Sequence, residues 1–333
     1  MRYSWKKLFG FLAIVLVACL VTFLAWLGFV FYTFNSVTTH DEYWVEKVLE
    51  RKKHAAAKRQ GGRLIIVAGS SAWYGFRVHE LEKQLGIPVV NMAIHAGLSI
   101  DGVCSDALSV MRPGDAILMA FEYEQFAREP FQYRSMGNML RNHPDLLLGL
   151  PPLDALRFVL SPPVSELGFR LDYMKRVRNE KDIYAFADEV VSLTDDEGEI
   201  TERNEAYGKV IPPERLDKKL EPLNPEAERK VALYSDKFHK RGAEVFACFA
   251  PKLLSPEYDR AEVADIQRQV KDFYNSHGAV FVGEPIVVTS QGDQFFDNPG
   301  HLTEKGALDR SRQVAGELLA NPAFQEWLKQ RPK

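Results

Sequence analysis

The chain has 333 residues, 46% of them hydrophobic and 26% charged, so it can bury a full-sized core and is neither disordered nor of low complexity. A balance of 42 Lys+Arg against 45 Asp+Glu leaves no basic stripe for a phosphate backbone and argues against a nucleic-acid partner. Three cysteines, none in a CxxC pair or at ligand spacing from a histidine, exclude a zinc ribbon and a disulfide framework; Cys19, Cys104 and Cys248 read as small core or lipid-facing hydrophobes.

Residues 8–32 carry no charge and would be about 37 Å long as a helix, enough to cross a ~30 Å hydrocarbon core with some tilt. The run is too long for the apolar region of a signal peptide and no small-x-small cleavage site closes it, so an uncleaved anchor is expected. A lipoprotein box at Leu16-Val17-Ala18-Cys19 is disfavoured, because cutting there would leave apolar residues 20–32 behind the cysteine. Arg2, Lys6 and Lys7 precede the span and Asp41 and Glu42 follow it, which places residues 1–7 in the cytoplasm as a stub, the span in the inner (cytoplasmic) membrane and the remainder on its extracytoplasmic, periplasmic side. Arg51, Lys52, Lys53, Lys58 and Arg59 work against that orientation from near the limit of the rule. Residues 33–62 read as a solvated juxtamembrane helix and linker ending at Gly61-Gly62.

From Arg63 onward short apolar runs alternate with helical periodicity, the pattern of a parallel sheet covered on both faces. Strands are expected at 64–68, 88–91, 116–121, 245–250 and 279–282. Helical stripes run through Val78, Leu81 and Leu85, through Ile100, Val103, Cys104, Ala107 and Met111, through Ala227, Val231, Tyr234 and Phe238, and through Val263, Ile266, Val270 and Phe273. A last long helix has Thr303 as N-cap and turns Ala307, Leu308, Val314, Ala315 and Leu318 inward. The expected architecture is α/β, a three-layer α/β/α domain with a five-stranded parallel sheet over residues 63–322, a tail at 323–333 and one transmembrane helix. Residues 126–223 interrupt the alternation with Pro-Pro pairs at 151–152, 162–163 and 212–213. An insertion there, on the ligand-binding edge of an open sheet, reads either as a lid or docking subdomain or as a helical excursion. Within it, Met136 and Met139 read as packing.

Three segments stand where such a sheet does chemistry. Gly69-Ser70-Ser71 follows the first strand, where a serine at a helix start lies beside backbone N–H groups able to stabilise an oxyanion, or simply caps the helix. Asn91-Met92-Ala93-Ile94-His95-Ala96-Gly97 follows the second, with a glycine that lets backbone approach a ligand. Asp297-Asn298-Pro299-Gly300-His301 precedes the last helix and supplies a carboxylate and an imidazole, the base and orienting group that acyl transfer needs. His95, beside Gly97, reads as structural, with the cleft as its alternative, and the other histidines form no metal set.

In this order the three motifs resemble those of the SGNH (GDSL-type) hydrolase superfamily, over roughly residues 63–320. The resemblance implies a flavodoxin-like sheet, Ser71 as nucleophile, His301 as general base, Asp297 as its orienting carboxylate, and the amides of Ser71 and Gly97 as oxyanion donors, with Asn91 and Glu122 on the substrate side. Two departures stand out. Asp297 precedes His301 by four residues rather than three, and Glu122 stands where the third block of the family supplies an asparagine amide. Together with the anchor, the resemblance implies an esterase or O-acyltransferase that works through a serine acyl-enzyme, without metal or cofactor, on an acyl ester, acetyl in the first instance, of an envelope polysaccharide. Some anchored SGNH-like proteins of this kind work beside a membrane-bound O-acyltransferase. A non-catalytic scaffold or binding subunit of a polysaccharide export or acylation complex is the alternative, for which Glu122 is the strongest sequence argument.

Overall fold

The computed structural model describes residues 5–127, 136–145, 150–180, 182–201, 211, 216–283, 294–295 and 297–333. Five strands, β1 (Leu64–Val67), β2 (Val89–Asn91), β3 (Ala116–Met119), β4 (Glu244–Ala247) and β5 (Val280–Phe281), form one parallel sheet in the order β2-β1-β3-β4-β5. Leu64 pairs with both Val89 and Ala116, and Met119 with Ala247. The central strands are buried along their whole length, which is why they read as unbroken Leu-Ile-Val runs rather than as alternations.

Helices cover both faces. Those serving the sheet are α3 (Ser70–Gly75), α4 (Val78–Leu85), α5 (Ile100–Val110), α11 (Pro225–Lys240), α12 (Arg260–Ser276) and α13 (Glu304–Ala320). The expected stripes are buried in them, with Leu308 only half so, and the Thr303 hydroxyl accepts from Gly306 N–H as the N-cap of α13. Cys104 and Cys248 lie in the core and Cys19 is exposed on α1 (Trp5–Ser36).

Two expectations are corrected. Helix α2 (His40–Lys58) is not solvated: Val45, Val48, Leu49, Ala55 and Ala56 are buried, and its N-terminus is closed by a Thr39/Glu42 capping box. Its basic residues meet acids distant in sequence. Lys52 Nζ reaches Glu199 and the Asn91 carbonyl, each at 2.7 Å, Lys53 pairs with Asp106, and Arg59 joins Glu82 and Glu197. The C-terminal residues are not a loose tail, because α14 (Pro322–Gln330) buries Phe324 and Trp327 in the main core, and the indole donates to the Gly114 carbonyl at 3.0 Å.

The insertion and the end of the apolar helix pack together. Between α6 (Tyr123–Ala127) and α11 the chain forms α7 (Met136–Asn142), α8 (Pro152–Leu160), α9 (Val164–Asn179) and α10 (Ala185–Ser192). These pack on α1 and α2. Val30 and Phe34 of α1 join Met136, Met139, Leu140, Phe158 and Leu167 in a second core, and Arg141 donates to the Phe34 carbonyl. One face of the last two turns of the apolar helix is therefore held by protein, with Phe31 and Tyr32 still exposed, while residues 8–24 keep exposed side chains such as Phe9, Phe11, Ile14 and Leu20. Among the described residues one helix, over 7–36, is long and apolar enough to cross a membrane, compatible with a single-pass anchor and equally with a signal sequence.

Candidate active site

The sheet order reverses between β1 and β3, where the chain leaves in opposite directions and opens a crevice at the strand ends. Ser71 follows β1 and Glu122 follows β3, so both stand at this point. They are joined: Ser71 N–H donates to Glu122 Oε1 at 2.8 Å and Gly69 N–H to Oε2 at 3.1 Å. Position 69 has no room for a side chain, since a Cβ there would lie 2.5 Å from Glu122 Oε1 and 2.8 Å from Ala96 Cα. Glu122 is almost fully buried; its burial raises the carboxyl above the usual range, outweighing the hydrogen bonds from Ser71 and Gly69.

The second component comes from the loop that enters α13. Asn298 Oδ1 accepts from the Gly300 and His301 amides at 2.8 and 3.1 Å, a side-chain-capped turn that fixes the loop. Asp297 Oδ1 lies 2.7 Å from His301 Nδ1, and Asn298 Nδ2 lies 2.8 Å from the same nitrogen. The two contacts make opposite demands on Nδ1: the Asn298 NH₂ only donates, whereas an ionised Asp297 only accepts. The charge-assisted bond to the carboxylate is the stronger, and with the proton on Nδ1 it leaves Nε2 as the basic atom. Burial alone would raise the Asp297 carboxyl, but the His301 hydrogen bond and charge hold it below its ordinary value. Tyr74 stacks on the imidazole with ring centroids 4.0 Å apart. The longer Asp-to-His spacing thus still gives an oriented pair.

Gly300 joins the two components. A Cβ at that position would sit 2.5 Å from Ser71 Oγ, so the hydroxyl lies against the residue that precedes His301. Among the described residues Ser71 and His301 share no hydrogen bond, and Ser71 is 4% exposed. Catalytic hydrogen bonds in ligand-free sites are often long and tighten when substrate binds.

The oxyanion side differs from expectation. Gly97 N–H donates to His95 Nδ1 at 2.8 Å, and Ser71 N–H is held by Glu122, so both amides already have internal acceptors. Asn91 faces away from any substrate role: its amide donates toward the Ala72 carbonyl and Glu199, and its Oδ1 accepts from Ala93 N–H. His95 accepts from the Gly97 amide and meets Trp44 edge-on, while its exposed ring lines a cleft together with Gly97, Trp44 and Arg170. Asn298 stands at the spacing where the resemblance expects the carboxylate and closes the Asn298-Pro299-Gly300 turn, whereas nothing in the sequence marks Tyr74. Among the described residues no group of three His, Cys, Asp or Glu could hold a metal ion. No protein-family model matches the chain, and a search of curated proteins finds no relative.

Proposed function

We propose that this chain is a membrane-anchored, SGNH-like serine esterase or O-acyltransferase that acts on an acyl ester of an envelope polysaccharide, with its α/β domain outside the cytoplasm. The observation that carries the reading is the placement of Ser71 Oγ against Gly300, the residue before His301, whose ring Asp297 already orients. In the proposed cycle His301 Nε2 takes the Ser71 proton as Oγ attacks the acyl carbonyl. The tetrahedral adduct expels the sugar alkoxide, which receives that proton from His301. Water then releases the acid, or a second sugar hydroxyl takes the acyl group, each activated by the same imidazole. Asp297 holds the imidazolium throughout.

Glu122 makes this site slow. A carboxylate on the Ser71 amide occupies one oxyanion donor and repels developing negative charge, and loss of one such donor costs roughly 10²–10³ in rate. Turnover needs neutral His301 together with protonated Glu122. Its rate is therefore expected to fall as Glu122 ionises, at a pH above the usual carboxylate range. Glu122→Asn, uncharged and one methylene shorter, releases the amide. We expect it to raise p-nitrophenyl acetate hydrolysis roughly 10- to 100-fold and to remove that fall. An unchanged rate and profile would show that Glu122 does not control the site. A transferase tolerates weak oxyanion electrostatics where a bound acceptor hydroxyl has a high effective concentration, which fits work beside a membrane-bound O-acyltransferase.

The occupied amides of Ser71 and Gly97 favour a second reading, a non-catalytic scaffold of an envelope acylation or export complex. It predicts that cells with Ser71→Ala acylate their glycan normally while cells lacking the chain do not.

A further inference from the structure

The face of the insertion beside the anchor is apolar and unpartnered. On α8, Leu153, Leu156 and Leu160 are 57%, 37% and 52% exposed, and Val164 at the start of α9 is 76% exposed. The leucines follow the i, i+3, i+7 spacing that puts them in one stripe, opposite the buried Phe158. The stripe is tied to a fixed level of the span: Trp26 Nε1 donates to the Val159 carbonyl at 3.4 Å. Twenty residues from Leu8 to Leu27 cover about 30 Å, the thickness of the hydrocarbon core, so α8 meets α1 where the hydrocarbon ends. Arg157, exposed beside the stripe and loosely paired with Asp154 at 3.7 Å, has a stem long enough to turn its guanidinium to headgroup phosphates instead, as in helices that lie on membranes.

Between α1, α7 and α8 lies a cleft of 380 Å³ lined by apolar side chains, including Leu27, Phe31, Met136, Leu140 and Phe158, within the size range of ligand pockets. Gly28 forms part of its wall, and a Cβ there would meet nothing within 4 Å. We propose that α8 and the start of α9 lie in the interface of the leaflet facing the domain, and that the cleft between them and α1 takes up the acyl chain of a phospholipid. This surface fixes the height and tilt of the α/β domain above the bilayer, which a single helix with a mobile joint would not. Continuity with the span selects bilayer over a second copy of the chain as the partner of the stripe.

The test uses the full chain in nanodiscs of phosphatidylethanolamine and phosphatidylglycerol, in a Cys19→Ser background. Spin labels are placed at Leu156→Cys, Leu160→Cys and, as an aqueous reference on α9, Arg178→Cys. We expect the two leucine sites to be more accessible to oxygen than to a water-soluble nickel chelate, the reverse of the reference. Native mass spectrometry is expected to find a phospholipid retained by the parent and lost in Gly28→Phe, which fills the cleft. Leucine sites as open to the nickel chelate as Arg178, or shielded from both reagents by a second copy, would overturn the interfacial assignment. Phospholipid retained equally by Gly28→Phe would overturn the cleft. The proposal rests on α1 being a span, and failure of that reading shows separately as chain released from membranes by alkaline carbonate.

Discussion

Ser71→Ala is expected to lower ester turnover by roughly 10³-fold or more, with His301→Ala costing about as much and the double variant little more, because groups that act as one unit are not additive. The reasoning is geometric. Ser71 Oγ is the hydroxyl packed against the 297–301 turn, and His301 has a carboxylate fixing its Nδ1 proton. Neither variant should disturb the fold, since the Ser71 amide keeps its bond to Glu122 and the turn is held by Asn298. Steady-state turnover of p-nitrophenyl acetate, with glycan acylation followed in cells, checks the expectation. Unchanged values in Ser71→Ala would pass the argument to the scaffold reading.

Asp115→Ala is expected to cost ~3–5 kcal/mol of stability, the range for removing one partner of a buried ion pair. At the opposite end of the sheet from Ser71, Arg63 and Asp115 are both almost fully buried. Arg63 gives Asp115 hydrogen bonds from its own amide, from Nε at 3.1 Å and from a guanidinium NH₂ at 2.5 Å. Its remaining donors reach the carbonyls of Ala56 and Val110, each at 2.7 Å. The pair thus ties the end of α2, the start of β1 and the start of β3. Removing the carboxylate strands a buried guanidinium and should lower the Tm by roughly 6–20 °C for a domain of this size, as read by tryptophan fluorescence in detergent. The double change Arg63→Met and Asp115→Leu should cost far less, since no charge is left unpaired. Equal losses in the two variants would count against the account.

What was legible in the sequence follows from how local each signal is. Strands β1 and β3 announce themselves as Leu-Ile-Val runs because both faces are covered, and Thr303 marks the start of α13 because an N-cap acts over three residues. The order of Ser71, Gly97 and Asp297–His301 was readable because each lies just beyond a strand end or before a helix. Helix α2 was misread because the acids that neutralise its lysines and arginines, Glu197 and Glu199, lie about 140 residues away. The packing of α14 was missed although Phe324 and Trp327 stand three apart, a short stripe easily lost beside a charged end. The oxyanion side was illegible for another reason: that Glu122 grips the Ser71 amide and His95 the Gly97 amide depends on side-chain direction, which spacing does not encode. The contact of Val30 and Phe34 with the insertion is illegible as well, because a helix packed on apolar protein and one packed on lipid share the same composition.

Whether Ser71 is an activated nucleophile is tested most directly by exposing the full chain to a fluorophosphonate and locating the adduct by peptide mass spectrometry. The hydroxyl would attack phosphorus and expel fluoride, with His301 taking the serine proton. The account predicts a single adduct on Ser71, absent in Ser71→Ala, strongly slowed in His301→Ala and accelerated in Glu122→Asn. No adduct on Ser71 in either the parent or Glu122→Asn, or an adduct that forms as fast in His301→Ala as in the parent, would contradict it.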